Sequence, residues 1–281
     1  MPSNRHHTAL SSAASAYMSR WDLVADGSPV QTTSSYLVPV TRDGFPAMLK
    51  VTSDPDELRG NHLMTLWDGQ GAAAVMEHDR YALLLERAVS ARTLADVVYA
   101  GLDDDATRTL CKTAERLHTA SLLKQEKMRP LKSWFTALLE FSSSRAVWLK
   151  NCACQAQNLL NTPQEQIALH GDLHHGNILD FGPRGWLAID PKGLYGERTA
   201  DFAALFLNPD LADPQRPYAI SPKRFEQRVR LVSSHAGVEP VRLLRWIQAW
   251  SGLSAVWFIE EGKTPDVQQT VAYLASAILA N

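Results

Sequence analysis

The chain has 281 residues, 45% of them hydrophobic and 21% charged, with a formal net charge of −2. That length and apolar content suffice for one large domain or two lobes, and the near-neutral balance gives no electrostatic reason to expect nucleic acid or an anionic membrane as partner. No stretch approaches the ~18 consecutive apolar residues of a membrane span and Met1 to His7 lacks an apolar signal-peptide core, so the expected compartment is the cytoplasm. Cys111, Cys152 and Cys154 are odd in number, and Cys152-Ala153-Cys154 is too tight for an ordinary disulfide, so all three read as reduced thiols in helices.

Residues 1 to about 28 are rich in Ser and Ala and predict a frayed start and a short helix around Ala13 to Trp21. Val30 to Val40 and Ala47 to Val51 predict two strands joined by a turn at Arg42-Asp43-Gly44, and Pro39 suggests that the first lies at a sheet edge. Thr32 to Ser35 sits where a phosphate-covering loop would fall; it has no glycine, so Ser34 and Ser35 would have to serve, the alternative being a plain Ser/Thr loop. Lys50 is an ammonium flanked by apolar residues, suited either to reaching phosphates or to an ordinary surface position on an alternating strand.

Asp54-Pro55-Asp56-Glu57 opens a helix, with Asp54 as N-cap and Pro55 at the first helical position. Glu57 could close a capping box or pair with Lys50. The helix runs through Leu58, Leu63, Leu66 and Trp67 to Gly69 and Gly71. A second hairpin, Ala73 to His78 and Tyr81 to Arg87, leads to Glu86-Arg87-Ala88, where the chain leaves a β-rich part for a helical one. Helical periodicity then marks Thr93 to Ala100, Asp104 to Leu123, Arg129 to Leu149 and Asn151 to Leu160. His118 in the second of these is most simply a packed helix histidine, a bond to the loop beyond Leu169 being its other reading.

Gln166 to Leu169 predicts a buried strand that delivers His170-Gly171-Asp172-Leu173-His174-His175-Gly176-Asn177, and Trp186 to Ile189 a second that delivers Asp190-Pro191. Asp172 is a carboxylate able to take a proton from a hydroxyl, and Asn177 and Asp190 offer the oxygens hard cations prefer. The Asp-x4-Asn spacing is that of the kinase catalytic loop, with Asp190 where protein kinases keep a second acidic residue. Competing readings are turn residues bonded to their own backbone, a zinc hydrolase using His170, His174 and His175, and a non-catalytic kinase-like binding module. Beyond this, Glu197-Arg198-Thr199-Ala200-Asp201 opens a predicted helix through Phe206, and three helices follow at about Pro222 to Ala236, Val241 to Glu261 and Thr264 to Ala280. Trp246, Trp250 and Trp257 form a stripe on the second, and Trp257 with Glu260 and Glu261 could meet a polycation.

The loop His170 to Asn177 with Gly185-Trp186-Leu187-Ala188-Ile189-Asp190-Pro191 resembles the aminoglycoside/hydroxyurea antibiotic-resistance kinases, of which streptomycin 6-phosphotransferases are one type. The similarity extends to Glu57-Leu58-Arg59-Gly60, Leu83 to Glu86, Arg242-Leu243-Leu244 and Gly252 to Trp257, and so covers most of the chain from about Val30. The resemblance implies an α+β, two-lobed, protein-kinase-like fold: residues 1–88 a small β-rich, nucleotide-binding lobe with one helix, and residues 89–281 a larger helical lobe with the catalytic loop and acceptor site. It implies ATP- and Mg²⁺-dependent phosphorylation of an aminoglycoside hydroxyl, with an endogenous sugar, amino alcohol or nucleoside as the alternative acceptor. By residue, Asp172 would be catalytic, Asn177 and Asp190 would hold Mg²⁺, and Lys50, Glu57, Ser34, Ser35, Glu86 and His170 would surround ATP. Glu197, Asp201, Trp257, Glu260 and Glu261 would border the acceptor. The expected partner is that small molecule, without nucleic acid or membrane, in a monomer or weak dimer.

Overall fold

The computed structural model describes residues 4–121, 127–141 and 146–280. Its first half is a helix and a sheet: α1 (Asn4–Arg20), β1 (Val24–Ala25), β2 (Val30–Gln31), β3 (Ser35–Arg42), β4 (Phe45–Thr52), α2 (Pro55–Trp67), β5 (Val75–His78) and β6 (Ala82–Glu86). The second half is mainly helical: α3 (Leu94–Tyr99), α4 (Asp103–Ser121), α5 (Leu131–Trp134), α6 (Thr136–Glu140), α7 (Val147–Asn161), α8 (Pro222–Ala236), α9 (Pro240–Glu260) and α10 (Asp266–Leu279). Between these helices run short strands, β7 (Arg129–Pro130), β8 (Gln166–Leu169), β9 (Ile178–Asp180), β10 (Trp186–Ala188) and β11 (Leu194–Glu197). This is the expected α+β, two-lobed arrangement. No described helix is long and apolar enough to cross a membrane.

The sheet order is β1-β3-β4-β6-β5, with β2 also on β3 and every pair antiparallel. Alternation along the strands gives the sheet two apolar faces. Ala82 and Leu84 of β6 join Leu49, Val51, Leu10 and Ala14 beneath α1, while Leu83 and Leu85 face α2 and the core of the helical half. Helix α2 is the bridge between halves. Its start is capped by Asp54, which accepts from the amides of Asp56 and Glu57 at 2.9 and 3.1 Å. Its end buries Leu63, Met64 and Trp67 in the second core, where the Trp67 indole donates to Ser121 Oγ at 2.8 Å and stacks on His170.

Several local expectations change. The first helix starts nine residues earlier than Ala13. The predicted strand Val30 to Val40 folds back on itself: Thr32 Oγ1 accepts from Ser35 N at 2.9 Å, and this side-chain turn makes β2 and β3 a hairpin. Pro39 is not at the sheet edge, because β1 and β2 cover that side of β3 and leave a gap where it stands. The predicted helix Arg129 to Leu149 breaks into β7, α5 and α6, with α7 beginning at Val147; its part at 142–145, like 122–123 of the helix before it, lies outside the described residues. Glu197 to Phe206 is not an α-helix: Glu197 ends β11, and Arg198–Phe202 and Ala204–Leu207 are 3₁₀ turns. The three cysteines are free.

A close approach fixes α2 against the second half. A β-carbon on Gly60 would sit 1.8 Å from the Pro191 carbonyl oxygen, and one on Gly193 would sit 2.8 Å from the Arg59 backbone. Alanine in a helix interior is ordinarily favoured over glycine by about 1 kcal/mol. At Gly60 the sign should reverse: Gly60→Ala pushes α2 off the segment after Asp190 and destabilises the protein by roughly 1–3 kcal/mol, read as a lowered melting temperature. An unchanged or raised melting point would refute this account of the packing.

Candidate active site

Two structures set the catalytic-loop residues. Strand β8 ends at Leu169, and the hairpin of β9 and β10 pairs Ile178 with Ala188, so Asn177 and Asp190 emerge side by side. Ile189 N donates to Asn177 O at 2.9 Å and fixes their spacing. Asp190 has φ +57, a left-handed conformation rare outside glycine, which is the kind of backbone strain found at functional sites.

Asp172 is the partly exposed carboxylate of the loop. Asn177 Nδ2 donates to its carbonyl oxygen at 2.9 Å and to Oδ2 at 3.3 Å, which leaves Asn177 Oδ1 free to accept or ligate. His174 Nε2 lies 3.6 Å from Asp172 Oδ2. Burial alone would raise the Asp172 carboxyl, but the His174 contact and the Lys192 ammonium outweigh it and hold it below its ordinary value.

From the sheet, Lys50 on β4 is 6% exposed. Its ammonium is 2.5 Å from Glu57 Oε2 and 2.5 Å from Asp190 Oδ1. Glu57 thus makes the ion pair, and Asp54 alone caps α2 with its side chain. Lys192, which sequence reasoning missed although it directly follows Asp190-Pro191, completes the cluster: its Nζ is 2.9 Å from Glu57 Oε1 and 3.3 Å from Asp190 Oδ2. Burial works against an ionised Asp190, yet Lys50 and Lys192 overrule it and hold the carboxyl far below the usual range. The donor set here, a carboxylate at Asp190 and a free amide oxygen at Asn177, is hard oxygen of the kind Mg²⁺ takes.

Other expected site residues have different work. His170 is fully buried; its Nε2–H donates to Ile189 O at 2.9 Å and its Nδ1 accepts from Asp172 N at 3.2 Å, so it ties the two loops together and does not face a nucleotide. Ser35 is buried with Oγ 3.5 Å from Glu57 Oε2, supporting that carboxylate, and Ser34 accepts from Thr52 Oγ1 through its carbonyl oxygen. The Glu86 carboxylate accepts from Ala74 N at 2.6 Å and pairs with Arg184, which commits it to the sheet and leaves only its backbone to a ligand.

Two acceptor assignments are corrected. Glu197 is 1% exposed and bonded to Arg242, Trp246 Nε1 and Gln164 N, at the end of β8 remote from the catalytic loop. Asp201 is buried under that loop, accepting from Gly171 N at 2.7 Å, His170 N at 3.0 Å and His118 Nε2 at 2.9 Å. His118 therefore braces the loop through Asp201. The three loop histidines do not converge as a zinc site would: His174 Nδ1 accepts from Gly176 N, His170 is bonded as above, and His175 is buried with its ring kept neutral by burial and by Arg228. Among the described residues no cluster of His, Cys, Asp and Glu fits such a metal.

Trp257 is half-buried, edge-on to Trp134 at 5.3 Å between ring centres. Arg129 lies over Trp134 and bonds Asp56, the neighbour of Glu57, at 3.1 Å, so this aromatic stripe reaches from the end of α9 to the start of α2. Glu260 and Glu261 are exposed at that end of α9, and Glu261 pairs with Lys263.

The fold is that of the kinase-like phosphotransferases. Amicoumacin kinase, in a complex with AMP-PNP, Ca²⁺ and Ami, matches with a TM-score of 0.69 over 99% of this chain and 96% of that one, at 15% identity. Streptomycin 3''-kinase of Klebsiella pneumoniae is 52% identical over 245 residues, 87% of this chain and 92% of that protein. Streptomycin 6-kinase of Streptomyces glaucescens is 32% identical over 270 residues, 90% of this chain and 84% of that one. The sequence profile of the aminoglycoside/hydroxyurea antibiotic resistance kinases matches residues 20–262, and the chain belongs to that family.

Asp201 yields a pH prediction. Burial opposes its charge, but the His118 hydrogen bond and the Gly171 amide hold its carboxyl below the ordinary value. A carboxyl lowered in the folded state stabilises above its unfolded value, about pH 4, and that stability is lost as pH falls toward the folded value. Asp201→Asn should destabilise the protein by roughly 2–4 kcal/mol at neutral pH and less at about pH 3, measured by urea unfolding across pH. Equal losses at both pH values would contradict the ionised role.

Proposed function

We propose that the protein is an ATP- and Mg²⁺-dependent phosphotransferase acting on a hydroxyl of a streptomycin-type aminoglycoside, the 3'' hydroxyl in first place. What supports the acceptor is the 52% identity to a streptomycin 3''-kinase. The chemistry rests on one observation: Asn177, which bonds the Asp172 carboxylate, is joined through Ile189 to Asp190, which in turn touches the Lys50–Glu57 pair.

Phosphoryl transfer asks mainly for positioning and charge neutralisation. Lys50 steadies the ATP phosphates, and Glu57 aims Lys50. Asn177 and Asp190 would hold the divalent cation, which would supply positive charge to offset that of the phosphates. Asp172 orients the acceptor hydroxyl in line with the γ-phosphorus. As the new oxygen–phosphorus bond forms, the bond to the β-phosphate bridging oxygen breaks, its electron pair leaves with ADP, and the hydroxyl proton passes to Asp172. Trp257, with Glu260 and Glu261, forms a wall for the polycationic acceptor. The same proposal sets the enzyme in the cytoplasm, where ATP is, as a monomer or weak dimer.

Purified protein should release ADP when given ATP, Mg²⁺ and streptomycin, and phosphorus NMR of the product should locate the phosphate at 3''. Asp172→Ala should lower the rate by about 10²–10⁴-fold with an unchanged circular dichroism spectrum; retained turnover would remove Asp172 from the mechanism. Trp257→Ala should raise the streptomycin KM by about three- to tenfold and leave the KM for ATP unchanged, and an unchanged streptomycin KM would detach the α9 end from the acceptor.

A further inference from the structure

Lys192 has no part in the transfer outlined above, yet it completes a closed ring of alternating charge. Lys50 bridges Glu57 Oε2 and Asp190 Oδ1, and Lys192 bridges Glu57 Oε1 and Asp190 Oδ2. Two ammoniums and two carboxylates make the ring neutral, and each carboxylate oxygen is already taken. Asp190 is also the carboxylate assigned to the divalent cation. A dication on either oxygen would stand within a few ångströms of both ammoniums, where like charges repel strongly in a partly buried site. One ammonium has to yield.

The backbone decides which. Lys50 is on an interior strand paired on both sides, with its side chain 7% exposed. Lys192 lies in the loop between Asp190 and Gly193, with its side chain 19% exposed. Its amide is fixed to His170 O at 2.7 Å, so the loop stays in place while the four-carbon stem can turn. The stem also starts in the right place: a β-carbon on Gly171, the residue before Asp172, would touch the Lys192 Cβ at 3.4 Å. Released from Asp190, the ammonium has Asp172, whose carboxyl already feels its charge, within reach.

We propose that Lys192 is an exchangeable counter-cation, which neutralises Asp190 and Glu57 before the metal-bound nucleotide arrives and then, displaced from Asp190, donates to the phosphoryl group in flight beside Asp172. No bond to Lys192 forms or breaks; it supplies positive charge to the equatorial phosphoryl oxygens, as a cation at developing charge does in phosphoryl transfer. The inference rests on the kinase reading.

Its test does not depend on turnover alone. Mn²⁺ titrated into nucleotide-free protein and followed by electron paramagnetic resonance should bind Lys192→Met about fivefold or more tightly than wild type, because the competing ammonium is gone. Lys192→Gln should do the same, and Lys192→Arg, which keeps the charge, should bind Mn²⁺ as wild type does. In the full assay, kcat of Lys192→Met should fall by about 10²-fold at an unchanged acceptor KM. Unchanged or weaker Mn²⁺ binding in both neutral variants overturns the competition, and an unchanged kcat overturns the transfer role. Should wild-type protein bind no AMP-PNP with Mn²⁺, the kinase reading itself fails; should it bind and turn over while the variants match it, only the Lys192 inference fails.

Discussion

Bringing two lysines and two acids from three separate stretches into contact is the constraint on which the rest depends. Lys50 comes from β4, Glu57 from the first turn of α2, and Asp190 and Lys192 from the segment after β10. Buried charges are tolerated only when paired and geometrically fixed, so each carrier must be rigid. Strand β4 is rigid because it is paired on both sides. Helix α2 is rigid at both ends, capped by Asp54 at one and locked by Trp67 at the other. The third segment is held by Gly60 and Gly193, which let helix and loop approach until backbone meets backbone. The ion pairs are thus a consequence of packing, and the packing is spent on aligning charge.

A second, smaller constraint lies below the catalytic loop. Asp201 gathers the amides of His170 and Gly171, while His170 spans from Asp172 N to Ile189 O. One buried carboxylate and one buried imidazole therefore join the loop bearing Asp172 to the strand that delivers Asp190. Left unbonded, those buried amides would be unfavourable by more than a hydrogen bond contributes. The loop has little freedom to choose another shape.

This explains which parts were legible in the sequence. Patterns local in the chain were: Asp54-Pro55 capping α2, the strands that deliver Asp172 and Asp190, and the Asp172-to-Asn177 spacing. Functions set by distant partners were not. Asp201 and Glu197 look like acidic residues near a site, and only the fold reveals that one lies beneath the loop and the other at the remote end of β8. His170 and Glu86 read as nucleotide ligands because position in a motif does not say which way a side chain turns. Lys192 was the reverse case, adjacent to a recognised motif and informative only once Glu57 had been brought to it by α2. The helix expected over Glu197 to Phe206 failed for a similar reason: Thr199 to Asp201 must bend to aim the carboxylate at two amides, and short 3₁₀ turns allow that.

The same division says where the chain is free to vary. An amicoumacin kinase shares the fold over nearly the whole chain at 15% identity, so the backbone tolerates wide replacement provided the architecture survives. Residues tied into the charge ring or under the loop are not free to vary independently, since each serves partners from other elements. The end of α9 is different: Trp257 is half-buried against Trp134 and the edge of the core, Glu260 is exposed, and exposed Glu261 pairs with Lys263. Substitutions there change the charge and shape of the surface without unmaking the ion pairs or the buried bonds under the loop, which is the physical reason that this end of the helix can vary while the charge ring cannot.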